Sequence, residues 1–212
     1  MSQPAPLPDA LLAGFRRFRA GRYPDERDRY RRLADEGQTP AAMVIACSDS
    51  RSGPEIVFDA IPGDLFVVRN VAALVPAYAP DAGQHGASAA LEYAVRTLGT
   101  SSIVVLGHGR CGGIEAALQP GFAKDTDFVG TWVEGLRELA AEVIATTADP
   151  ADARLGLELR SIERSLGHLL TFPWIRDRVD AGELQVAGAW FDIAIGELDV
   201  LGDDGWVRVD AG

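Results

Sequence analysis

The sequence predicts an α/β fold: a mostly parallel central sheet of four to five strands, flanked by helices and preceded by an N-terminal helical arm. Three continuous apolar runs, residues 42–46, 65–68 and 103–106, have the length and composition of strands buried on both faces. Segments with helical periodicity separate these runs, most clearly residues 85–98. Alternation of this kind is typical of parallel sheets.

The N-terminal arm is predicted from two amphipathic segments with helix start and stop signals. Residues 8–20 begin with Pro-Asp, and residues 24–36 begin with Pro-Asp-Glu and are followed by Gly37. The chain is expected to form one domain over residues 1–212, with the arm in 1–37 and an α/β core in 38–212.

The C-terminal half of the chain completes the predicted fold. Residues 128–170 are helical by composition, with Pro150 breaking the segment in two. A short helix is predicted to begin at residues 172–174. A fourth strand is expected over residues 184–193 and a short edge strand over 197–201.

Composition and charge exclude several classes of function. The chain has 212 residues, is 47% apolar and carries a formal charge of −11. Such a charge repels nucleic acid and anionic lipid, so neither is expected as a partner. No run approaches the roughly 18 apolar residues that span a bilayer, and no signal peptide is visible. A cytoplasmic protein is expected.

The two cysteines of the chain point to a metal site. Cys47 follows the first strand, whereas His108 and Cys111 follow the third. If those strands are parallel neighbours, the three side chains emerge together and could hold one zinc ion. Cys111 also precedes a helix opened by two glycines, where the helix dipole favours a thiolate. A disulfide, or cysteines that are merely small buried residues, remain the alternatives.

Four stretches of the sequence resemble the β-class carbonic anhydrases: residues 47–51, 63–72, 91–94 and 107–113. The resemblance implies that Cys47, His108 and Cys111 bind zinc and that the enzyme interconverts carbon dioxide with bicarbonate and a proton. A zinc ion with three protein ligands has a fourth position open for water. The ion makes this water acidic enough to supply hydroxide near neutral pH.

Asp49 and Arg51 are the candidate catalytic pair. In an extended segment their side chains would point to the same side as that of Cys47. The guanidinium could then hold the Asp49 carboxylate in a fork. The resemblance implies that this pair holds the zinc-bound hydroxide for attack on carbon dioxide. A surface ion pair of little energetic value is the alternative.

Other positions bear on the branch of the family. Branches that close the zinc site carry a Trp and a Tyr where this chain has Val44 and Phe191, although Arg69 fits them. In the open, plant-like branch a Gln, a Phe and a Tyr line the substrate cleft, and the resemblance matches them to Gln38, Phe66 and Tyr93. Val71 would add to the apolar wall that Phe66 offers carbon dioxide. Phe66 and Val71 could equally be core residues, and Gln38 could equally belong to an ordinary turn. Because the Trp and Tyr of the closing branches are absent and the cleft residues of the open branch are matched, we expect an open site.

Two departures from the family pattern are Ala73, where Asn is usual, and Gly109, where Ser is usual. The resemblance also implies a homodimer, with a homotetramer left open, and cleft residues contributed across the interface. Two other functions remain at this point. One is a hydrolase of carbon disulfide or carbonyl sulfide on the same scaffold, and the other is a non-enzymatic zinc-binding protein.

Overall fold

The computed structural model describes residues 5–122 and 126–210. The chain forms two compact units, residues 1–38 and 39–212. In the described part of the chain, no helix is both long and apolar enough to cross a membrane.

The first unit consists of two helices, close to the predicted bounds. They are α1 (Asp9–Ala20) and α2 (Arg22–Glu36). Phe18 packs edge-on against Tyr23 and Tyr30, with ring centroids 5.7 and 6.0 Å apart. These aromatic contacts join the two helices of the arm.

The second unit is built on a six-stranded sheet with the strand order β2-β1-β3-β4-β5-β6. The first four strands pair in parallel, whereas β5 and β6 add antiparallel hairpins at one edge. The mostly parallel sheet is thus confirmed, with one strand more than expected. The strands are β1 (Ala42–Cys47), β2 (Leu65–Asn70), β3 (Ser102–His108), β4 (Gln185–Asp192), β5 (Glu197–Gly202) and β6 (Gly205–Arg208).

Strands β1 and β3 lie side by side in the middle of the four parallel strands and are the most continuously apolar of them. Met43 and Ile45 of β1, and Ile103 and Val105 of β3, are fully buried. The two strands pair in parallel, with Ala46 opposite Leu106. The residues at the ends of these strands therefore leave the sheet at the same edge, as the predicted grouping of Cys47, His108 and Cys111 required.

Helices cover the sheet and join its strands. Those of the second unit are α3 (Pro54–Val57), α4 (Gly86–Glu92), α5 (Gly112–Leu118), α6 (Val129–Glu134), α7 (Arg137–Thr146), α8 (Pro150–Leu169) and α9 (Pro173–Asp180). The predicted helix over 85–98 is α4 continued by a π-helical turn at Tyr93–Leu98.

The helical region 128–170 differs from the prediction in its interruptions. It contains three helices rather than two, because the chain also breaks around Gly135, between α6 and α7. Pro150 is the first residue of α8. Asp149 caps this helix, because its side chain accepts a 2.7 Å hydrogen bond from the Ala151 N–H. The proline therefore starts a helix, where its missing N–H costs nothing.

Gly113 lets helix α5 approach the turn that follows β2. A Cβ at this position would lie 2.7 Å from Cγ1 of Val71 and 2.9 Å from Cβ of Ala72. The adjacent Gly112 has no such neighbour within 4 Å. Of the two glycines that open α5, only Gly113 is required by packing.

We expect Gly113→Ala to destabilise the protein by about 1–3 kcal/mol, because the added methyl group overpacks this contact. Gly112→Ala is the matched control and should leave the free energy of unfolding unchanged or slightly raised. Urea unfolding followed by circular dichroism measures both. Equal unfolding midpoints for the two variants would contradict the assigned close approach.

Candidate metal centre

Cys47, His108 and Cys111 converge at the carboxyl edge of the central strands. Cys47 ends β1, His108 ends β3, and Cys111 immediately precedes α5. Their ligand atoms all lie within 4.8 Å of one another, and all three residues are buried. The convergence expected from the sequence is therefore present.

The spacing of the two sulfurs fits a tetrahedral zinc ion. Sγ of Cys47 lies 3.8 Å from Sγ of Cys111. Two zinc–sulfur bonds of about 2.3 Å at a tetrahedral angle would separate the sulfurs by roughly 3.8 Å. The two cysteines are free thiols and not a disulfide. The donor set, two sulfurs and one imidazole, is one that zinc prefers.

His108 presents its second ring nitrogen to the same space. Its Nδ1 lies 2.9 Å from the carbonyl oxygen of Gly109. Because a carbonyl can only accept, Nδ1 carries the proton and Nε2 keeps a lone pair. Nε2 is buried and, among the described residues, has no hydrogen-bond partner. An orphaned lone pair beside two sulfurs is what a metal-binding imidazole requires.

Without a cation, the two sulfurs share one proton. The hydrogen bond between Cys47 and Cys111 lowers the pKa of the Cys47 thiol and raises that of the Cys111 thiol, and burial raises the latter further. The neighbouring His108 side chain and the backbone N–H groups of Asp49 and Ala72 also lower the pKa of Cys47. A divalent cation would allow both sulfurs to ionise.

The Ala72 N–H reaches Cys47 because of an unusual turn after β2. Ala72 and Ala73 both have a positive φ, 65° and 54°. The Asn70 side chain closes this turn: its Nδ2 donates to the Leu74 carbonyl, and its Oδ1 accepts from the Leu74 N–H, at 2.9 and 2.8 Å. Asn70 was not singled out from the sequence, since an Asn that ends a strand is an ordinary turn residue.

Asp49 and Arg51 form a fork beside the cluster. Nε and Nη2 of Arg51 donate to the two carboxylate oxygens of Asp49 at 2.9 and 2.7 Å. The expected extended segment is wrong, because the residues form a turn in which the Arg51 N–H also donates to Asp49 Oδ1, at 2.9 Å. The side-chain hydrogen bonds from Arg51 hold the pKa of Asp49 well below its usual range.

The Asp49 carboxylate faces the metal ligands. Its Oδ2 lies 4.0 Å from Nε2 of His108. Arg69 fixes the backbone here, since its Nε donates to the Cys47 carbonyl at 2.8 Å and its Nη2 donates to the Asp49 carbonyl. The ionised carboxylate is therefore held beside the cluster.

The four predicted cleft residues lie in different places. Val71 follows β2 directly and is 38% exposed. Phe66 lies opposite Met43, four residues back from the Cys47–Asn70 pair, or about 13 Å along the strand. Its ring lies 5.9 Å from that of Tyr93. Gln38 is the exposed last residue of the first unit.

Val71 also borders a large apolar groove. The groove has a volume of about 780 Å³, and six of its lining residues are Val71, Leu74, Val75, Phe128, Trp132 and Leu136. The Trp132 Nε1–H donates to the Val71 carbonyl at 2.8 Å and so joins one wall of the groove to the turn after β2.

Glu158 is a buried site residue that sequence reasoning missed. It lies on α8, is 3% exposed, and accepts hydrogen bonds from the Cys111 N–H at 3.2 Å and from Trp190 Nε1 at 3.1 Å. Burial raises the pKa of its carboxyl group, an effect that these two hydrogen bonds oppose. The sequence of an amphipathic helix does not show which of its glutamates is buried against a distant loop.

The departure at Gly109 has a packing explanation. A Cβ at this position would lie 3.1 Å from Cζ2 of Trp190. A serine at this position would press on the indole, which would have to move by a few tenths of an ångström. Gly109 and Trp190 are therefore complementary, and no hydroxyl group is available at residue 109.

Comparison with known proteins agrees with this site. Residues 42–198 match the family model described as carbonic anhydrase. The chain is 37% identical over 187 residues to β carbonic anhydrase 5, chloroplastic, of Arabidopsis thaliana, covering 87% of this chain and 61% of the plant protein. It is 36% identical over 192 residues to a carbonic anhydrase of Pseudomonas aeruginosa, covering 90% of this chain and 86% of that protein.

Solved structures give the same answer. The β-carbonic anhydrase CcaA superposes with a TM-score of 0.88 at 30% identity, covering 95% of this chain and 98% of the other. A structure from a study of two tetrameric β-carbonic anhydrases of Sordaria macrospora gives a TM-score of 0.80 at 28% identity, covering 95% and 98%. With its Cys-His-Cys cluster at the carboxyl edge of the same sheet, this chain belongs to the β-class carbonic anhydrase family.

Proposed function

We propose that this protein catalyses the zinc-dependent, reversible hydration of carbon dioxide to bicarbonate and a proton. The observation that carries the proposal is a buried cluster, in a chain of this family, of two sulfurs 3.8 Å apart and an imidazole nitrogen to which no described residue hydrogen-bonds. Cys47, His108 and Cys111 are the proposed zinc ligands. Zinc held there would lower the pKa of a coordinated water to near neutrality.

Asp49 and Arg51 are the proposed catalytic pair. The two hydrogen bonds from Arg51 keep Asp49 ionised and fix the direction of its carboxylate. An ionised carboxylate can only accept, so it would orient a water or hydroxide by taking its hydrogen bond. This orientation would direct an oxygen lone pair at carbon dioxide and would reduce the entropic cost of alignment.

The open form of the site is proposed on the same grounds. The guanidinium of Arg51 holds both oxygens of Asp49, which favours the carboxylate staying with Arg51 over its becoming a fourth zinc ligand. Val44 and Phe191 stand where closing branches of the family have Trp and Tyr.

The cleft residues fit a dimer better than a single chain. Phe66 and Tyr93 contact each other at a point well back from the cluster of their own chain. We therefore propose that they line the cleft of a partner subunit, whereas Val71 provides an apolar wall in its own. Gln38 is proposed as a hydrogen-bond donor to bicarbonate.

The apolar groove is the proposed dimer interface. A groove this large and apolar is rarely left uncovered in a monomer, and Phe128 at its border is 85% exposed. A homodimer is proposed as the basic unit, which is compatible with assembly into a homotetramer. A cytoplasmic location is also proposed, because a reducing compartment keeps both ligand cysteines as thiols.

Carbon dioxide is favoured over carbon disulfide and carbonyl sulfide as the substrate. The relatives and solved structures named above are all described as carbonic anhydrases. A purely structural zinc site would have no use for an ionised carboxylate aimed beside the cluster. Hydration of carbon dioxide measured by stopped flow on the zinc-loaded protein tests the proposal directly, and no turnover above buffer would refute it.

We expect His108→Ala to weaken zinc binding on the order of 100-fold or more. Removing a residue that only hydrogen-bonds to a metal ligand already lowers metal affinity about 10–100-fold, and His108 is a proposed ligand itself. His85→Ala is the control, because His85 is an exposed histidine paired with Asp81 at 2.7 Å. Zinc affinity is measured by competition with a chromophoric chelator. Equal affinities for the two variants would contradict the ligand assignment.

Asp49→Asn should lower kcat by about 100-fold or more while the zinc content stays the same, because the amide no longer offers two acceptors. Glu142→Gln serves as the control, since Glu142 accepts a similar 2.6 Å hydrogen bond from Arg160 on an exposed surface. The two variants are compared by stopped flow and metal analysis. A kcat for Asp49→Asn close to that of Glu142→Gln would remove the carboxylate from the mechanism.

Phe128→Glu should convert the dimer to monomers, because it places a charge on the proposed interface. Ile195→Glu is the control, since Ile195 is also largely exposed, at 62%, but lies in the turn between β4 and β5. Sedimentation velocity gives the mass of each variant. An unchanged dimer in Phe128→Glu would exclude this groove as the interface.

A further inference from the structure

The loop that carries two of the proposed zinc ligands has a strained backbone. Arg110, between His108 and Cys111, has a φ of 58°, a left-handed conformation that costs roughly 1–2 kcal/mol for a residue with a Cβ. This reversal brings Cys111 back towards His108. Something must hold the loop in this conformation.

Glu158 binds the inner side of this loop. Its Oε1 accepts a hydrogen bond from the Cys111 N–H at 3.2 Å, and the neighbouring Arg110 N–H lowers the pKa of the same carboxyl group. Successive N–H groups around a left-handed residue form a concavity that binds anions. Here the anion is a side chain of the same protein, fully buried behind the metal ligands.

The other contacts of Glu158 are also with donors. Its Oε2 accepts from Trp190 Nε1 at 3.1 Å, and Nε of Arg154 lies 3.9 Å from Oε1. The carboxylate lines one small cavity together with Cys47, His108 and Cys111. Every partner requires an acceptor, so an uncharged amide of the same shape would place one donor against another.

We propose that Glu158 is a positioning residue for the metal centre: it fixes the Arg110–Cys111 backbone so that the Cys111 sulfur is placed for zinc, and Trp190 orients it. The proposal rests on the function proposed above, because it takes Cys111 as a ligand. It assigns Glu158 no contact with substrate. Its effect is on metal affinity and on ligand geometry.

The chain offers a matched control on the same helix. Glu163 of α8 accepts from Trp206 Nε1 at 2.9 Å, so it forms the same kind of glutamate–tryptophan pair away from the metal centre. Glu163→Gln changes the same chemistry without touching the loop. Any difference between Glu158→Gln and Glu163→Gln then reflects the position of Glu158.

The test measures zinc affinity by chelator competition and the absorption spectrum of the cobalt(II)-substituted protein. We expect Glu158→Gln to bind zinc at least tenfold more weakly, in the range known for outer partners of metal ligands. Its thiolate-to-cobalt absorption band should also change. Glu163→Gln should match the wild type in both measurements.

A double variant separates positioning from simple destabilisation. Trp190→Phe removes the donor that opposes the Gln amide, so Glu158→Gln combined with Trp190→Phe should bind zinc within about threefold of Trp190→Phe alone. Glu158→Asp keeps the charge but not the reach. It should bind zinc at least threefold more weakly and provides the test if Glu158→Gln does not fold.

The outcomes distinguish this proposal from the function on which it rests. Wild-type protein that binds neither zinc nor cobalt would overturn the metal centre itself. The positioning role alone would be overturned if the wild type binds zinc tightly and the folded Glu158 variants match it. Matching means a zinc affinity within twofold of wild type and an unchanged cobalt absorption band. Lower stability of these variants in urea would not rescue the positioning role, because the proposal concerns metal affinity and ligand geometry.

Discussion

The parallel pairing of β1 and β3 is the constraint on which the metal centre depends. With Ala46 opposite Leu106, the two strands deliver Cys47 and His108 to one edge of the sheet. Both strands are buried, so a slip of one residue would turn their side chains to the wrong faces and cost much of the core. The register that the apolar residues enforce therefore also fixes the distance between a sulfur and an imidazole, although none of those residues takes part in chemistry.

Electrostatics explains why such a centre suits a cation. Two sulfurs and two carboxylates, those of Asp49 and Glu158, surround the buried imidazole of His108. Backbone N–H groups and Arg51 offset part of this negative charge. The sulfurs can both ionise only if further positive charge is present, so binding of a divalent ion completes the balance that the fold leaves open. Asp49 lies beside the imidazole, whereas Glu158 contacts the backbone of the loop that carries Cys111.

Much of the fold and the ligand set could be predicted from the sequence, because both depend on local patterns. Apolar runs identify buried strands, and Cys47, His108 and Cys111 stand directly after two of them. Contacts between distant segments left no such signal. Glu158, 47 residues after Cys111, has the sequence surroundings of an ordinary helical glutamate. The short strand β6 was missed for a related reason, since its four residues are stabilised by pairing with β5 rather than by their own propensity.

The backbone around the cluster accounts for one departure from the family pattern. Ala73 stands where Asn is usual, and it adopts the left-handed conformation that Asn tolerates better than Ala. The turn keeps this shape because Asn70 clamps it and because Gly113 leaves room for Ala72 against α5. The conformation delivers the Ala72 N–H to the sulfur of Cys47. At residue 73 the centre therefore needs a backbone geometry and not a particular side chain, which is why an unfavourable residue can occupy the position without altering the ligands.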